Sequence, residues 1–254
     1  IYEGGRDGDG SSIIPSAIME VLVCSESFAL INHGEIKNLS DLGMRNIRGL
    51  KFCSVAECDA LETIIGSVRV EVLDAFPNLE ILELYRLSNL KSIIMEEGLP
   101  MQPRNSCFTS LRELLLYNCL SIKKLFSWGL IQQLHNLESI SIYFCEELEE
   151  MISVEDNNDY EMLECSREVL PKLRKMTFKY LPNFVGFVKG ISLFWSSLLE
   201  VEISGCPKLK RLPFGVNNNA PNLREIRGKY QWWEALEWED DAIKTRLSPL
   251  YIGF

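Results

Sequence analysis

The chain has 254 residues, of which 46% are hydrophobic and 24% charged, as in a folded globular protein and not a disordered one. Its net charge of -10 at pH 7 argues against a nucleic-acid-binding protein, because affinity for phosphate comes from Lys and Arg. Pro15, Glu20 and Glu26 interrupt the longest apolar stretch, so we expect no membrane span.

The first 24 residues precede any repeat. Residues 1–12 are rich in Gly, Asp and Ser and predict a loop, and residues 18–23 (IMEVLV) predict a short strand that begins the fold. The chain starts at Ile1 and not at Met, so we expect a fragment whose N-terminal end is covered by an upstream part of a longer protein.

A repeated frame organises the middle of the chain and is clearest in residues 198–212 (LLEVEISGCPKLKRL). Alternate apolar residues at Val201 and Ile203 predict a strand with one buried face, and the wider spacing of Cys206, Leu209 and Leu212 predicts a helical or 3₁₀ return. The same frame starts eight times, at Ser25, Leu50, Leu79, Leu111, Leu137, Leu173, Leu198 and Leu223.

Frame starts 25 to 36 residues apart indicate irregular leucine-rich repeats. Residues 25–230 are therefore predicted to form an α/β solenoid, a leucine-rich-repeat horseshoe of about eight repeats. A parallel β-sheet should line its concave face, and its convex side should be irregular, 3₁₀ or short helical. Two inserts, 96–106 and 153–166, are predicted to be loops.

Short turns such as FPNL at residues 76–79, LPKL at 170–173 and APNL at 220–223 lead into several frames. We expect the first residue of each turn to plug the core and the Asn or Lys to point to solvent.

Four cysteines, Cys58, Cys119, Cys145 and Cys206, share one position of the frame. We predict small buried thiols and not disulfides, and hence a reducing, cytoplasmic compartment. His33 takes the same position in the first frame and is predicted to be a hydrogen-bonded turn residue. No zinc-like spacing accompanies either histidine, so no metal site is expected.

Residues 231–254 do not repeat and are rich in tryptophan, which predicts a C-terminal cap. Asp240 or Asp241 can start a helix through residues 242–247.

No catalytic motif is present, since the sequence lacks GxSxG, HExxH and a phosphate-binding glycine loop ending in Lys and Ser or Thr. The chain is therefore predicted not to be an enzyme.

Outward positions of the predicted strands carry a candidate protein-binding surface. The sixth and seventh residues after each frame start are repeatedly aromatic or cationic, types that anchor protein interfaces. The alternative is that Tyr is there as a good strand former whose ring covers its neighbours. The candidates are Tyr85, Arg86, Tyr117, Tyr143, Phe144, Lys179, Tyr180, Lys229 and Tyr230.

Charges flank this surface in a gradient. Glu83 and Glu113 lie in the middle repeats, and Lys175, Lys179, Arg227 and Lys229 lie towards the C-terminal end. A ligand of mixed charge would suit such a surface.

Cys in place of the usual Asn, the stretches SFALINHGEIKNLSDLG, LKRLPF and IQQLHNLESI, and the ending WWEALEWEDDAIKTRL together carry a resemblance. The chain resembles the C-terminal leucine-rich repeats of plant intracellular coiled-coil, nucleotide-binding, leucine-rich-repeat disease-resistance proteins. The resemblance implies a cytoplasmic immune receptor whose repeats recognise a pathogen effector or an effector-altered host protein. It also implies an intramolecular contact that holds an upstream nucleotide-binding switch closed. ATP or ADP would bind only in that upstream domain, and no cofactor is expected in this chain.

Two other classes of protein share the architecture. An extracellular receptor ectodomain would fit the sequon at Asn38 and the even number of cysteines, but Asn38 lies inside the first frame and the cysteines follow the repeat. A substrate-recruiting subunit of a ubiquitin ligase would need an adaptor-binding helical motif that is not visible in this sequence.

Overall fold

The computed structural model describes residues 1–3, 16–43, 45–66, 75–95, 107–153, 168–188 and 193–254. The described strands are β1 (Tyr2–Glu3), β2 (Ser27–Ile31), β3 (Phe52–Ala56), β4 (Thr63–Ile65), β5 (Ile81–Tyr85), β6 (Ser92–Ile94), β7 (Glu113–Tyr117), β8 (Lys124–Ser127), β9 (Ser139–Tyr143), β10 (Glu150–Ser153), β11 (Lys175–Lys179), β12 (Gly186–Val188), β13 (Glu200–Ser204), β14 (Glu225–Gly228) and β15 (Tyr251–Gly253). The described α-helices are α1 (Ser16–Val23), α2 (Trp128–Ile131), α3 (Tyr230–Glu234) and α4 (Asp241–Leu247).

A parallel sheet of ten described strands runs through the whole solenoid, in the order β1-β2-β3-β5-β7-β9-β11-β13-β14-β15. Neighbouring strands pair at equivalent frame positions, so that Leu84 lies beside Leu116 and Leu116 beside Ile142. The predicted parallel sheet and solenoid are therefore confirmed.

Alternation along each strand separates the core from the surface. In β5, Leu82 and Leu84 are fully buried, whereas Ile81, Glu83 and Tyr85 are half-buried on the opposite face. Each buried side chain of this kind stabilises the fold by about 1.5–3 kcal/mol relative to exposure. Since one coil cannot cover its own apolar face, this energy is realised only when the coils stack.

The convex side differs from the predicted helical or 3₁₀ return. Five short strands lie there, pairing in parallel as β4-β6 and as β12-β10-β8. Segments such as Thr63–Ile65 and Ser92–Ile94 carry β-branched side chains, which favour extended backbone when a neighbouring coil offers a pairing edge. A 3₁₀ turn does occur in the first frame, at Leu39–Leu42.

The predicted N-terminal strand at residues 18–23 is wrong, because the segment forms part of α1. Leu22 is buried and Ile18 and Met19 pack against the core, while Val21 and Val23 face outward, which is a helical and not an alternating pattern. The first strand is instead β1, which pairs with β2. Of the predicted loop at residues 1–12, residues 4–12 lie outside the described residues.

The insert at 96–106 lies entirely outside the described residues. So does the insert at 153–166, apart from Ser153, which ends β10.

The turns that lead into the strands behave partly as predicted. Phe76, Leu170 and Ala220 are buried, and Phe76 stacks on Phe108 with ring centroids 5.4 Å apart. Asn78 and Asn222 are exposed, but they also tie coils together. Their side-chain amides donate to the carbonyl oxygens of Arg48 (3.0 Å) and Ser196 (2.6 Å) in the preceding coil.

The four frame cysteines are buried free thiols, as predicted. The Sγ of Cys206 donates to the carbonyl oxygens of Phe178 and Ser204, both at 3.6 Å, and so joins one coil to the next. Burial raises the pKa of Cys58 and of Cys206 to about 11, which keeps both thiols protonated.

His33 is the hydrogen-bonded turn residue that the sequence predicted. Its Nδ1 accepts the backbone N–H of Ile36 at 3.2 Å, and the side chain is almost fully buried. Burial lowers the pKa of His33, because charging the imidazole would require its desolvation.

The C-terminal cap contains the predicted helix, α4, with Asp240 accepting the backbone N–H of Ala242 at 2.7 Å. It also contains a strand that the sequence did not predict, since β15 pairs in parallel with β14. Trp233 stacks on Tyr251 with centroids 4.3 Å apart and so fixes this last strand on the helical part of the cap.

Neighbouring leucines on β7 test the inward and outward assignment. We expect Leu116→Ala to lower the free energy of unfolding by about 2–5 kcal/mol, because Leu116 is fully buried and leaves a cavity. Leu115→Ala removes the same atoms from a half-exposed position on the concave face and should cost less than about 1 kcal/mol. Chemical denaturation measures both, and equal losses would contradict the assigned faces.

His33 predicts a pH dependence of stability. Its folded pKa lies below its unfolded value of about 6.5, so the unfolded state binds the proton first as pH falls. The neutral, buried His33 therefore contributes to the free energy of unfolding above about pH 6.5, and this contribution is lost as the pH falls below that value. Denaturation of wild type and His33→Asn between pH 7.5 and 5 should show a shallower loss of stability in the variant. If the free energy of unfolding falls equally steeply with pH in both proteins, His33 does not cause the pH dependence.

Candidate protein-interaction surface

Three tyrosines form a line across the concave face. Tyr85, Tyr117 and Tyr143 end β5, β7 and β9 and lie side by side in the sheet register. Their ring centroids are 6.3 Å apart at both steps, with the rings tilted by 43° and 39°. The structure therefore brings together three of the predicted candidates on adjacent strands.

The residue that follows each of β2, β3, β5, β7, β9, β11 and β13 adopts a left-handed backbone conformation, whereas Lys229 after β14 has a φ of -68°. Asn and Gly tolerate positive φ, and they occupy this position at Asn32, Asn118 and Gly205. Phe144 and Tyr180 occupy it with φ of 56° and 57°, an arrangement that costs a bulky residue about 1–3 kcal/mol. The left-handed turn ends the strand alternation at these two residues.

The two strained aromatics continue the tyrosine line towards the C-terminal end. Phe144 stacks on Tyr180 with centroids 4.5 Å apart and ring planes within 8°, and it meets Tyr117 edge-on at 5.3 Å. We call Tyr85, Tyr117, Tyr143, Phe144 and Tyr180 the aromatic row. Tyr117, Phe144 and Tyr180 remain 37%, 38% and 48% exposed, so the row is a surface feature.

Gly205 lies next to Tyr180, at the C-terminal end of the aromatic row. A Cβ at this position would lie 3.0 Å from Cδ1 of Tyr180, and Gly205 itself has a positive φ of 69°. A larger residue at this position would therefore push the Tyr180 ring away from its place against the next coil.

The predicted cations near the row are paired. Arg86 contacts Glu57 at 2.7 Å and Lys179 contacts Glu202 at 2.6 Å. Two further cations of the predicted charge gradient are also paired, Lys175 with Glu200 and Arg227 with Glu225. The positive end of the predicted gradient is therefore neutralised at Lys175, Lys179 and Arg227, whereas no described residue forms an ion pair with Lys229.

Glu83 and Glu113 make no ion pair with any other described residue. Partial burial, with the nearby Glu83 carboxylate, raises the pKa of Tyr85 and keeps its hydroxyl protonated.

Lys229 and Tyr230 lie apart from the row. Lys229 precedes α3 as its N-cap, and Tyr230 is the first residue of that helix and largely exposed. The coil that carries Ser204 and Gly205 separates them from Tyr180. They are surface residues of the cap and not members of the aromatic row.

Sequence reasoning found the members of the row but not its geometry. The recurrence of Asn and Gly at the seventh frame position, as in Asn32 and Gly205, was a signal of left-handed backbone there. That signal would have identified Phe144 and Tyr180 as strained.

Within the described ranges, no group of three or more His, Cys, Asp or Glu side chains is placed to hold a metal ion. A search of the same ranges finds no helix with the length and apolar character to cross a membrane.

A family model described as plant disease resistance protein RPS2-like, leucine-rich repeats, matches residues 94–229. Among curated proteins of Arabidopsis thaliana, the chain is 26% identical to disease resistance protein At4g27190 over 82% of its length. It is 28% identical to disease resistance protein RPS5 over 72% of its length. It is also 34% identical to probable disease resistance protein At4g27220 over 78% of its length.

The chain spans 20% of the length of each of these three relatives. The matched model covers more than half of the chain, and the parallel solenoid agrees with its description. The chain therefore belongs to the RPS2-like family of plant disease resistance proteins and comprises leucine-rich repeats of that family.

Proposed function

We propose that this leucine-rich-repeat domain recognises a protein, either a pathogen effector or a host protein altered by an effector, through its concave face. The observation that carries the proposal is the aromatic row, in which Phe144 and Tyr180 are held exposed in a strained conformation. Exposed Tyr and Phe bury a large area on binding for little loss of rotamer entropy, which is why aromatic residues concentrate in interface centres.

A comparison within the molecule weakens the alternative that these rings only pack the fold. Phe76, Phe108 and Leu170 also have positive φ, but they are fully buried, so core packing offsets their strain. Phe144 and Tyr180 have no such burial, and neither have Glu57 and Arg86, which make the same turn with φ of 56° and 51°. What distinguishes Phe144 and Tyr180 is the exposed aromatic area that they add to the row. Asn118 and Gly205 make the same turn at lower cost, so the fold does not require an aromatic residue at that position.

The surroundings of the row favour a partner with a positively charged patch. Glu83 and Glu113 lie on the same face without an ion-pair partner among the described residues, whereas Arg86 and Lys179 are already paired. An approaching Lys or Arg would meet both carboxylates and aromatic rings.

We propose further that the rest of the receptor, which this chain does not include, is switched by ATP or ADP in an upstream nucleotide-binding domain. The repeats would contact that domain and keep it inactive until the partner binds. The relatives are disease resistance proteins about five times longer than the aligned region, which leaves room for such a domain. In this view the chain itself is non-catalytic and works in the cytoplasm.

The aromatic row can be tested in the full-length receptor. We expect Tyr117→Ala, Phe144→Ala and Tyr180→Ala together to reduce partner binding at least a hundredfold, since interface aromatics contribute about 2 kcal/mol or more each. Proteins that co-purify from infected tissue with tagged wild type and variant are compared by quantitative mass spectrometry, alongside cell-death signalling in leaves.

Val216→Ala is the matched control, because Val216 is an exposed apolar residue away from the row. Thermal unfolding of the triple variant distinguishes a role of the aromatic row in binding from a role in packing the fold. If the triple variant melts at a lower temperature but retains its partner and its signalling, the row is a packing element and the proposed surface is wrong.

The compartment can be tested on the isolated chain by counting thiols. Seven described cysteines are free, and Cys24 is the exposed one among them. Denaturation without reductant should release all eight cysteines of the sequence to a thiol reagent. In the native protein Cys24 should react rapidly, whereas Cys53, whose pKa burial raises to about 12, should react only on unfolding. Fewer than eight thiols would favour the extracellular alternative.

A further inference from the structure

The stack of coils opens on its convex side between the sixth and seventh repeats. On the concave side these two coils stay joined, with all five residues of β11 and β13 in register. On the convex side β12 is the edge of its sheet, and no backbone group of its described residues bonds to the next coil. The seventh coil turns instead to the cap, where the carbonyl oxygen of Lys210 accepts from the N–H of Glu237 at 2.7 Å.

A groove of about 740 Å³ occupies this opening. One wall is β12 itself, and the other is formed by the segment from Arg211 to Gly215 and the cap residues Trp238 and Ile243. The volume is within the range of roughly 300–1,000 Å³ usual for ligand sites. An unpaired strand edge that lines a groove presents backbone donors and acceptors to an extended chain.

Gly186 leaves room for a side chain in this groove. A Cβ at Gly186 would meet no atom within 4 Å, and Gly186 is paired in register with Glu150 of the adjacent strand. A residue of an added strand opposite Gly186 could therefore extend over the glycine towards the Glu150 carboxylate.

The charge of the groove is negative. Among the described residues that line it, Glu150, Glu237 and Glu239 accompany one cation, Arg211, which pairs with Glu237 at 3.3 Å and with Glu239 at 3.7 Å. Glu150 has no ion-pair partner among the described residues. Trp238 also lines the groove, and its Nε1 is buried with no acceptor within the described part of the chain.

We propose that this groove binds an extended segment of a partner protein, which adds a strand to the free edge of β12 and places a Lys or Arg side chain over Gly186 against Glu150. The site is separate from the aromatic row, since it lies on the opposite side of the solenoid. Backbone hydrogen bonds give the segment its direction, and the carboxylates select a basic residue.

The test uses this chain with three short capped peptides of alternating valine and a charged or polar residue, namely lysine, glutamine or glutamate. We expect the lysine peptide to bind at least tenfold more tightly than the glutamate peptide, measured by calorimetry. Gly186→Val should weaken lysine-peptide binding at least tenfold by filling the open space, and Glu150→Gln should remove the preference for lysine over glutamine.

Gly34→Val is the matched control, because Gly34 also has open space around its Cβ position and lies outside the groove. It should bind the lysine peptide as wild type does. Absence of binding, equal affinity for the lysine and glutamate peptides, or unchanged affinity in folded Gly186→Val overturns the proposal. Tyr180→Ala should leave peptide binding intact, so failure here and failure of the concave-face proposal are distinguishable.

Discussion

The in-register stacking of parallel coils is the interaction on which the rest of this structure depends. Each coil buries side chains such as Leu82 and Leu84 only because the next coil places Leu114 and Leu116 beside them. Stability in such a chain is close to a sum of nearest-neighbour terms, so the sheet must continue to its ends. The cap meets this requirement by supplying β15 as one more parallel strand, which Trp233 fixes through its stacking on Tyr251.

Register also creates the candidate binding surface. Residues at one frame position are repeated about every 4.8 Å across the sheet, so tyrosines at that position in three consecutive frames become a line of neighbouring rings. The left-handed turns after β9 and β11 then place Phe144 and Tyr180 at the C-terminal end of the row, where they stack on each other. The backbone conformation that follows most of the concave strands therefore exposes two aromatic side chains there.

Strand pairing is less extensive on the convex side. Its described strands are three or four residues long and form two separate sheets, the second of which ends at β12, while the concave sheet continues without a break. The seventh coil pairs with the sixth coil on the concave side but with the cap on the convex side. The two coils therefore separate on the convex side, and the groove beside Gly186 lies in that gap. Two surfaces of different character thus arise from one solenoid, an aromatic one on the inside and an acidic, strand-edged one on the outside.

The sequence alone determined the concave sheet, the buried cysteines, the turn role of His33 and the helix that follows Asp240, because each depends on local spacing or on capping chemistry. It also named all five members of the aromatic row. The outward positions of Tyr85, Tyr117 and Tyr143 follow from alternation, whereas Phe144 and Tyr180 lie one residue beyond their strands, in the left-handed turn. It failed at residues 18–23 and on the convex side, where short apolar segments fit a helix or a strand equally well and the neighbouring coil decides. Only the tertiary structure decided which cations are neutralised, how Phe144 meets Tyr180, and where the coils separate. Those features depend on contacts such as Phe144 with Tyr180 and Lys179 with Glu202, between residues about 23 to 37 positions apart, which no local pattern encodes.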